Sequence, residues 1–180
     1  MARYADPVMA DVVRWVASSG GPLIAIPEAV LPFWAGADGD ETSSDHDRAC
    51  DVDGHVGLLP VGDTRALVLG HQGREGHEPA STAYLPEHGT FVRRPEAASE
   101  AELLAAVPAA LDAAAWQPEA EWRVPGPVVL FDAARPGGAL RQTDHVRVEL
   151  DPGRYGVRAA YVSTGPETWL GLVQVRPFSD

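Results

Sequence analysis

Apolar and polar positions follow two periods along this chain, and the switch between them predicts its elements. Pro22-Leu23-Ile24-Ala25-Ile26 is a short apolar run between turn residues and reads as a buried strand. Pro27 then opens a segment from Glu28 to Trp34 with Val30, Leu31 and Trp34 on one helical face. Upstream, Asp6-Pro7 is a helix-start pair, and Val8, Val12 and Trp15 follow at helical spacing. Trp15-Val16-Ala17 fits either the last turn of that helix or a strand that turns at Ser18-Ser19-Gly20-Gly21. Val56 to Val61 and Ala66 to Leu69 flank Gly62-Asp63-Thr64-Arg65 as a hairpin. Thr82 to Leu85 and Thr90 to Arg93 pair across Pro86 to Gly89. Ser99-x-x-Glu102 has the form of a capping box, opening a helix that buries Leu103, Leu104 and Val107. Pro108 then kinks that helix or starts a second turn through Leu111.

From Trp116 onward the period is two. Ala120, Trp122 and Val124 alternate with Glu121 and Arg123, and Val128 to Phe131 is a continuous, central apolar strand. Asp132 to Thr143 is a Gly/Pro loop. Val146, Val148 and Leu150 alternate with Arg147, Glu149 and Asp151, and Tyr155, Val157, Ala159 and Tyr161 share a face opposite Arg158. A last strand runs from about Thr168 to Val175. The class is therefore α+β: helices mixed with antiparallel hairpins, then a C-terminal antiparallel sheet or small β-sandwich. A chain of 180 residues makes one domain, 1–180, either whole or with two lobes, 1–115 (α+β) and 116–180 (all-β).

Charge narrows the function classes. The net charge is −12, carried mostly by residues 1–90, where 14 acids meet 5 arginines; residues 91–180 hold 12 acids and 9 arginines. Such a field repels nucleic acid and steers basic partners into contact. Arg93-Arg94 is too short a basic patch to reverse that. One cysteine excludes an internal disulfide, no apolar run approaches a membrane span, and Asp6 and Asp11 interrupt any secretory apolar core. The expectation is a cytoplasmic protein.

The acidity concentrates in Gly36 to Gly54, where Asp38, Asp40, Glu41, Asp45, Asp47, Asp51 and Asp53 surround one arginine, Arg48. Asp45, His46, Asp47, Cys50 and His55 suggest zinc, but one Cys-x4-His lacks the second ligand pair that makes such spacing specific. Asp38-x-Asp40 and Asp45-x-Asp47 offer oxygens without the calcium-loop order. His71, Glu75, His77 and Glu78 are metal-ligating types within a polar Gly-rich loop. Cys50 with His46 one turn away would serve a thiol- or zinc-dependent hydrolase, yet the surrounding carboxylates oppose a thiolate. Ser18-Ser19-Gly20-Gly21 has neither a nucleophile elbow nor a phosphate loop. No catalytic residue, metal site or cofactor is assigned. Cys50 is expected to pack inside, and Asp38, Asp40, Glu41, Asp45 and Asp53 are the candidates for touching a partner. A non-catalytic accessory β module is the remaining alternative.

Several stretches occur together in a recognisable order: WVASSGGPLIAIP (15–27), Trp34-x-Gly36, DRAC (47–50), GDTRALVLG (62–70), EPASTAYLP (78–86), FVR (91–93), GPVVLFDAA (126–134) and LDPGRYGV (150–157). With them the chain resembles the immunity protein 21 family of bacterial polymorphic toxin systems, from about Trp15 to near the C-terminus. The resemblance implies a small cytoplasmic non-enzyme that binds and neutralises a cognate toxin, often one acting on nucleic acid; the acidic surface suggests that it does so by covering the toxin's active site or substrate groove. A basic toxin would suit the acidic surface. Two features depart from the family pattern: His71 to His77 is inserted before Glu78-Pro79, and Arg94 stands where an aromatic residue is usual. The resemblance identifies no toxin-contact residue.

Overall fold

The strand β2, Leu23–Pro27, is buried along its whole length, and its two faces serve different cores. A computed structural model describes residues 12–38, 43–70, 81–95, 99–165 and 169–178. Leu23 and Ala25 point into one apolar cluster, Ile24 and Ile26 into another. That division follows from the period of two in a strand. It requires a layer on each side of the sheet containing β2.

Two antiparallel sheets supply the frame of an α+β fold. The first takes the order β1 (Trp15–Ala17), β5 (Ser81–Leu85), β6 (Thr90–Arg94), β11 (Trp169–Pro177), β10 (Gly153–Ser163), β7 (Ala120–Val124). The second takes β3 (Val56–Val61), β4 (Thr64–Leu69), β2, β8 (Val128–Asp132), β9 (His145–Val148). Between the sheets lie Leu67, Leu69, Val128 and Leu130 from the second and Phe91, Trp122, Val157 and Val173 from the first. Beyond the second sheet, Ile24, Ile26, Val68 and Phe131 meet Val30, Trp34 and Ala49. Beyond the first, Leu85, Val92, Leu170 and Leu172 are covered by α2 (Glu100–Ala113) through Leu103, Val107 and Ala110. Each large apolar side chain so buried contributes roughly 1.5–3 kcal/mol.

The sequence pattern located most of the strands, but residue 116 is not a boundary between sheets. Each sheet combines strands from both sides of it, because β2 pairs with β8 and β6 with β11. Trp15–Ala17 is a strand, paired with Ala83 to Ser81; Val16 faces the inter-sheet core while Trp15 packs with the α2 cluster. The Asp6-Pro7 helix start lies outside the described residues. Glu28–Phe33 forms a 3-10 helix, not an α-helix, within a six-residue segment that contains Pro32. The β3–β4 turn is only Gly62-Asp63, with Gly62 at φ +58°, so Thr64 and Arg65 belong to the strand. Ser99 precedes α2 without a side-chain capping bond, so the expected capping box does not form. Nor does Pro108 start a second helix: it sits exposed within α2, whose buried face holds the turn together.

Arg93 ties the sheets together. Only 2% exposed on β6, it donates through Nη1 to Gly70 O (2.6 Å), at the end of β4, and through Nε to Thr82 Oγ1 (3.3 Å). Burial pushes its pKa down to about 10, partly offset by Tyr161, so the group remains a cation near neutral pH.

Candidate functional site

The carboxylates between Asp38 and Asp53 are arranged by one short helix, α1, Asp45–Cys50. Ser44 caps it: its Oγ accepts from Asp47 N (3.1 Å), and Asp47 Oδ2 accepts in return from Ser44 N (2.9 Å). This is a capping box with aspartate in place of glutamate. Hydrogen bonds from the Ser44 backbone and then its hydroxyl hold the Asp47 carboxyl below the usual carboxylate range.

Gly36 docks α1 onto the fold. Its carbonyl accepts from His46 N (3.0 Å), and the next amide, Ala37 N, donates to Ala134 O (2.9 Å). Its φ is +68°, and a Cβ there would lie 2.6 Å from Ala134 O. Asp45 adds two ties, accepting from Ala35 N (2.8 Å) and from Arg48 Nη1 (2.8 Å). Arg48 Nη2 reaches Pro60 O on β3 (2.8 Å).

The five predicted contact residues therefore differ in their surroundings. Asp38 and Asp53 are exposed, and Asp45 is half-buried and bonded to Ala35 and Arg48. Asp40 and Glu41 lie outside the described residues, as does the His71, Glu75, His77 and Glu78 loop. Asp47 and Asp51 extend the exposed acidic surface.

Beneath α1 is a cleft of about 320 Å³ lined by Ser19, Gly20, Gly21, His46, Cys50, Asp132 and Ala134. Cys50 Sγ lies 3.6 Å from His46 Nε2. Cys50 is half-buried rather than packed inside; Ala49 takes the fully buried place. Burial first, then the charges of Asp47, Asp51 and Asp132, raise the thiol's pKa, which opposes a nucleophilic thiolate. Asp132 is already engaged: Ser19 donates to Oδ2 through both N (2.9 Å) and Oγ, and Ala134 N donates to Oδ1 (3.0 Å). Burial would raise its pKa, but these bonds, with help from His46, bring it below the ordinary value. Both carboxylate oxygens thus join backbone turns, and the constellation serves as a structural tie. His55 packs edge-on against Tyr161, with ring centres 4.3 Å apart. Among the described residues no three His, Cys, Asp or Glu side chains converge as a metal site.

Sequence reasoning missed Asp132 and Ser19. The signal was present in the motifs: WVASSGGPLIAIP supplies Ser19, DRAC supplies Cys50 and GPVVLFDAA supplies Asp132, and the fold brings all three to this cleft.

Residues 14–168 match the family model described as immunity protein 21. No curated protein and no solved structure matches the chain significantly. No helix among the described residues is long and apolar enough to cross a membrane. The chain belongs to the immunity protein 21 family, and so to the immunity proteins of toxin systems, which bind cognate toxins and are typically non-catalytic.

Proposed function

We propose that this immunity protein protects its producer in the cytoplasm by binding the cognate toxin and covering its active site or substrate groove. Family membership over residues 14–168 carries the reading. The acidic surface around α1 supplies a physical means of recognition. Asp38, Asp47, Asp51 and Asp53 are exposed there, and the only arginine of the stretch, Arg48, is bonded to Asp45 and Pro60. Exposed carboxylates on a chain of charge −12 would speed encounter with a basic cleft, such as one that binds nucleic acid. Asp38, Asp40, Glu41, Asp45 and Asp53 are the proposed contacts, with Asp38 and Asp53 the most accessible of those described.

Co-expression with the toxin domain encoded beside it tests the reading directly. Rescue is expected, and failure to bind or rescue against every neighbouring toxin domain would sink it. Stopped-flow association should slow several-fold between low and physiological salt. Asp38→Asn with Asp53→Asn should lower the association rate while leaving dissociation nearly unchanged. An association rate indifferent to salt would remove this surface from the interface.

A further inference from the structure

A larger groove, about 1170 Å³, lies between the β3–β4 turn and the outer face of β7 and β10. Its walls carry Arg65 from β4, Arg123 from β7 and Arg154 from β10. Trp122 Nε1 donates to Arg65 O (2.9 Å), which fixes the two walls to each other. Arg123 and Arg154 stand directly opposite in the strand register, so two guanidinium groups share one face. Like charges so placed repel. Arg154 is compensated by a two-pronged bond to Glu121, 2.9 Å to each oxygen. Glu121 also lies within the field of Arg123. Arg48, Arg135, Arg147, Arg154 and Arg176 all pair with carboxylates at the surface. Arg65 and Arg123, both exposed, form no ion pair among the described residues.

An apolar anchor adjoins this groove. Phe33 is 68% exposed, and a Cβ on Gly62, in the groove wall, would lie 3.2 Å from its ring. Arginine and aromatic side chains dominate the energetics of protein interfaces. Pro60 belongs to the same wall and accepts the bond from Arg48, so the groove and the acidic face of α1 adjoin.

We infer that this groove receives a carboxylate-bearing segment of the toxin, with Arg65 and Arg123 as its ion-pairing groups and Phe33 as the anchor at its rim. The inference rests on the immunity reading for the identity of the partner. Planar guanidinium groups match carboxylates bidentately. A nucleic-acid backbone, charged at every phosphate along its length, would extend past the two guanidinium groups onto Asp63, Glu121 and the field of a chain carrying −12, whereas a side-chain carboxylate is met by the guanidinium groups alone. Adjacent surfaces of opposite sign would also fix the toxin's orientation, since a rotated partner would oppose like charges.

The test uses the full chain and two probes. Hexaglutamate is titrated in at low salt while the arginine Nε–H resonances are followed by NMR. Shifts should concentrate on Arg65 and Arg123, and Arg65→Ala with Arg123→Ala should weaken binding by about tenfold or more. The net charge opposes indiscriminate attraction of this peptide, so a focused response reports the groove. No response there, or equal responses at Arg135, Arg141 and Arg147, overturns the inference. So does tighter binding of a single-stranded oligonucleotide than of hexaglutamate. A concentration-dependent dimer dissolved by the double variant would seat a second copy in the groove and also overturn it. With the toxin domain that the chain neutralises, the double variant and Phe33→Ala should each raise Kd about tenfold; unchanged Kd values refute the contact. A wild-type chain that binds hexaglutamate in the groove but no toxin domain would refute the immunity reading and the toxin as occupant, while the groove's chemistry stands.

Discussion

Alanine at Gly36 should destabilise this fold far more than alanine at Gly54, although both glycines hold positive φ, +68° and +86°. The left-handed backbone alone costs an L-residue roughly 1–2 kcal/mol. At Gly54 nothing else is added, because a Cβ there meets no atom within 4 Å. At Gly36 the same atom would lie 2.6 Å from Ala134 O and from Arg135 C, both backbone, so the two segments must separate. Separation strains the bonds Ala37 N to Ala134 O and His46 N to Gly36 O. Each contributes about 0.5–1.5 kcal/mol. Either substitution recovers about 0.4–1 kcal/mol by restricting the unfolded chain, and this cancels in the comparison. The expected losses are about 2–4 kcal/mol for Gly36→Ala and about 1 kcal/mol or less for Gly54→Ala. Urea unfolding followed by tryptophan fluorescence reads the difference from the midpoints, provided the slopes agree. Two variants equal within about 0.5 kcal/mol, inside the extrapolation error, would refute the clasp.

Three further outcomes are expected. Ser99→Ala should change stability by less than about 0.5 kcal/mol, since its side chain makes no capping bond; a loss near 1 kcal/mol, typical of a working cap, would contradict the geometry. Asp132 titrates below its ordinary value of 3.8, so its stabilising contribution is complete above that value and is lost as pH falls through the lower folded one. Asp132→Asn should therefore flatten the acid limb of the stability curve, and Ser19→Ala should move the Asp132 titration upward by carboxyl NMR; an unmoved titration would reject the Ser19 tie. Cys50, with its pKa raised by burial and neighbouring carboxylates, should alkylate with iodoacetamide at pH 8 more slowly than free cysteine and accelerate in urea. Faster reaction in the folded state would revive a thiol chemistry.

Strand positions were legible because a strand's faces are recorded two residues apart. Trp122 and Val124 face the core between exposed Glu121 and Arg123, as alternation alone requires. What alternation lacks is the partner. An apolar Leu-Ile-Ala-Ile run announces burial on both sides, but not that one side meets the other sheet and the opposite side meets Trp34. Cys50 shows a finer limit. Successive helical residues are about 100° apart, so an error of one position exchanged the buried Ala49 for a thiol at the edge of a cleft. In the sequence pattern Asp132 opens a Gly/Pro loop. Its donor Ser19 is 113 residues away, and no local pattern carries that distance. The exposed Asp38 and Asp53 were legible from charge density, whereas the bonding of Asp45 to a backbone amide depends on how α1 docks.

The interleaved strand order has a consequence in time. Leu23 pairs with Asp132 on β8, and Val92 with Leu172 on β11. As the ribosome extends the polypeptide, β2 lacks its second neighbour until β8 emerges, and β6 presents an open edge until β11 emerges. Such non-local pairing folds slowly and leaves unpaired edges exposed meanwhile. A product terminated before Trp169 would keep that edge and be a substrate for aggregation or proteolysis rather than a weaker protector. Under the proposed function, protection would then be all or none for each molecule, beginning only when β11 is seated, and a cell would keep ahead of its toxin by the stock of finished chains it already holds.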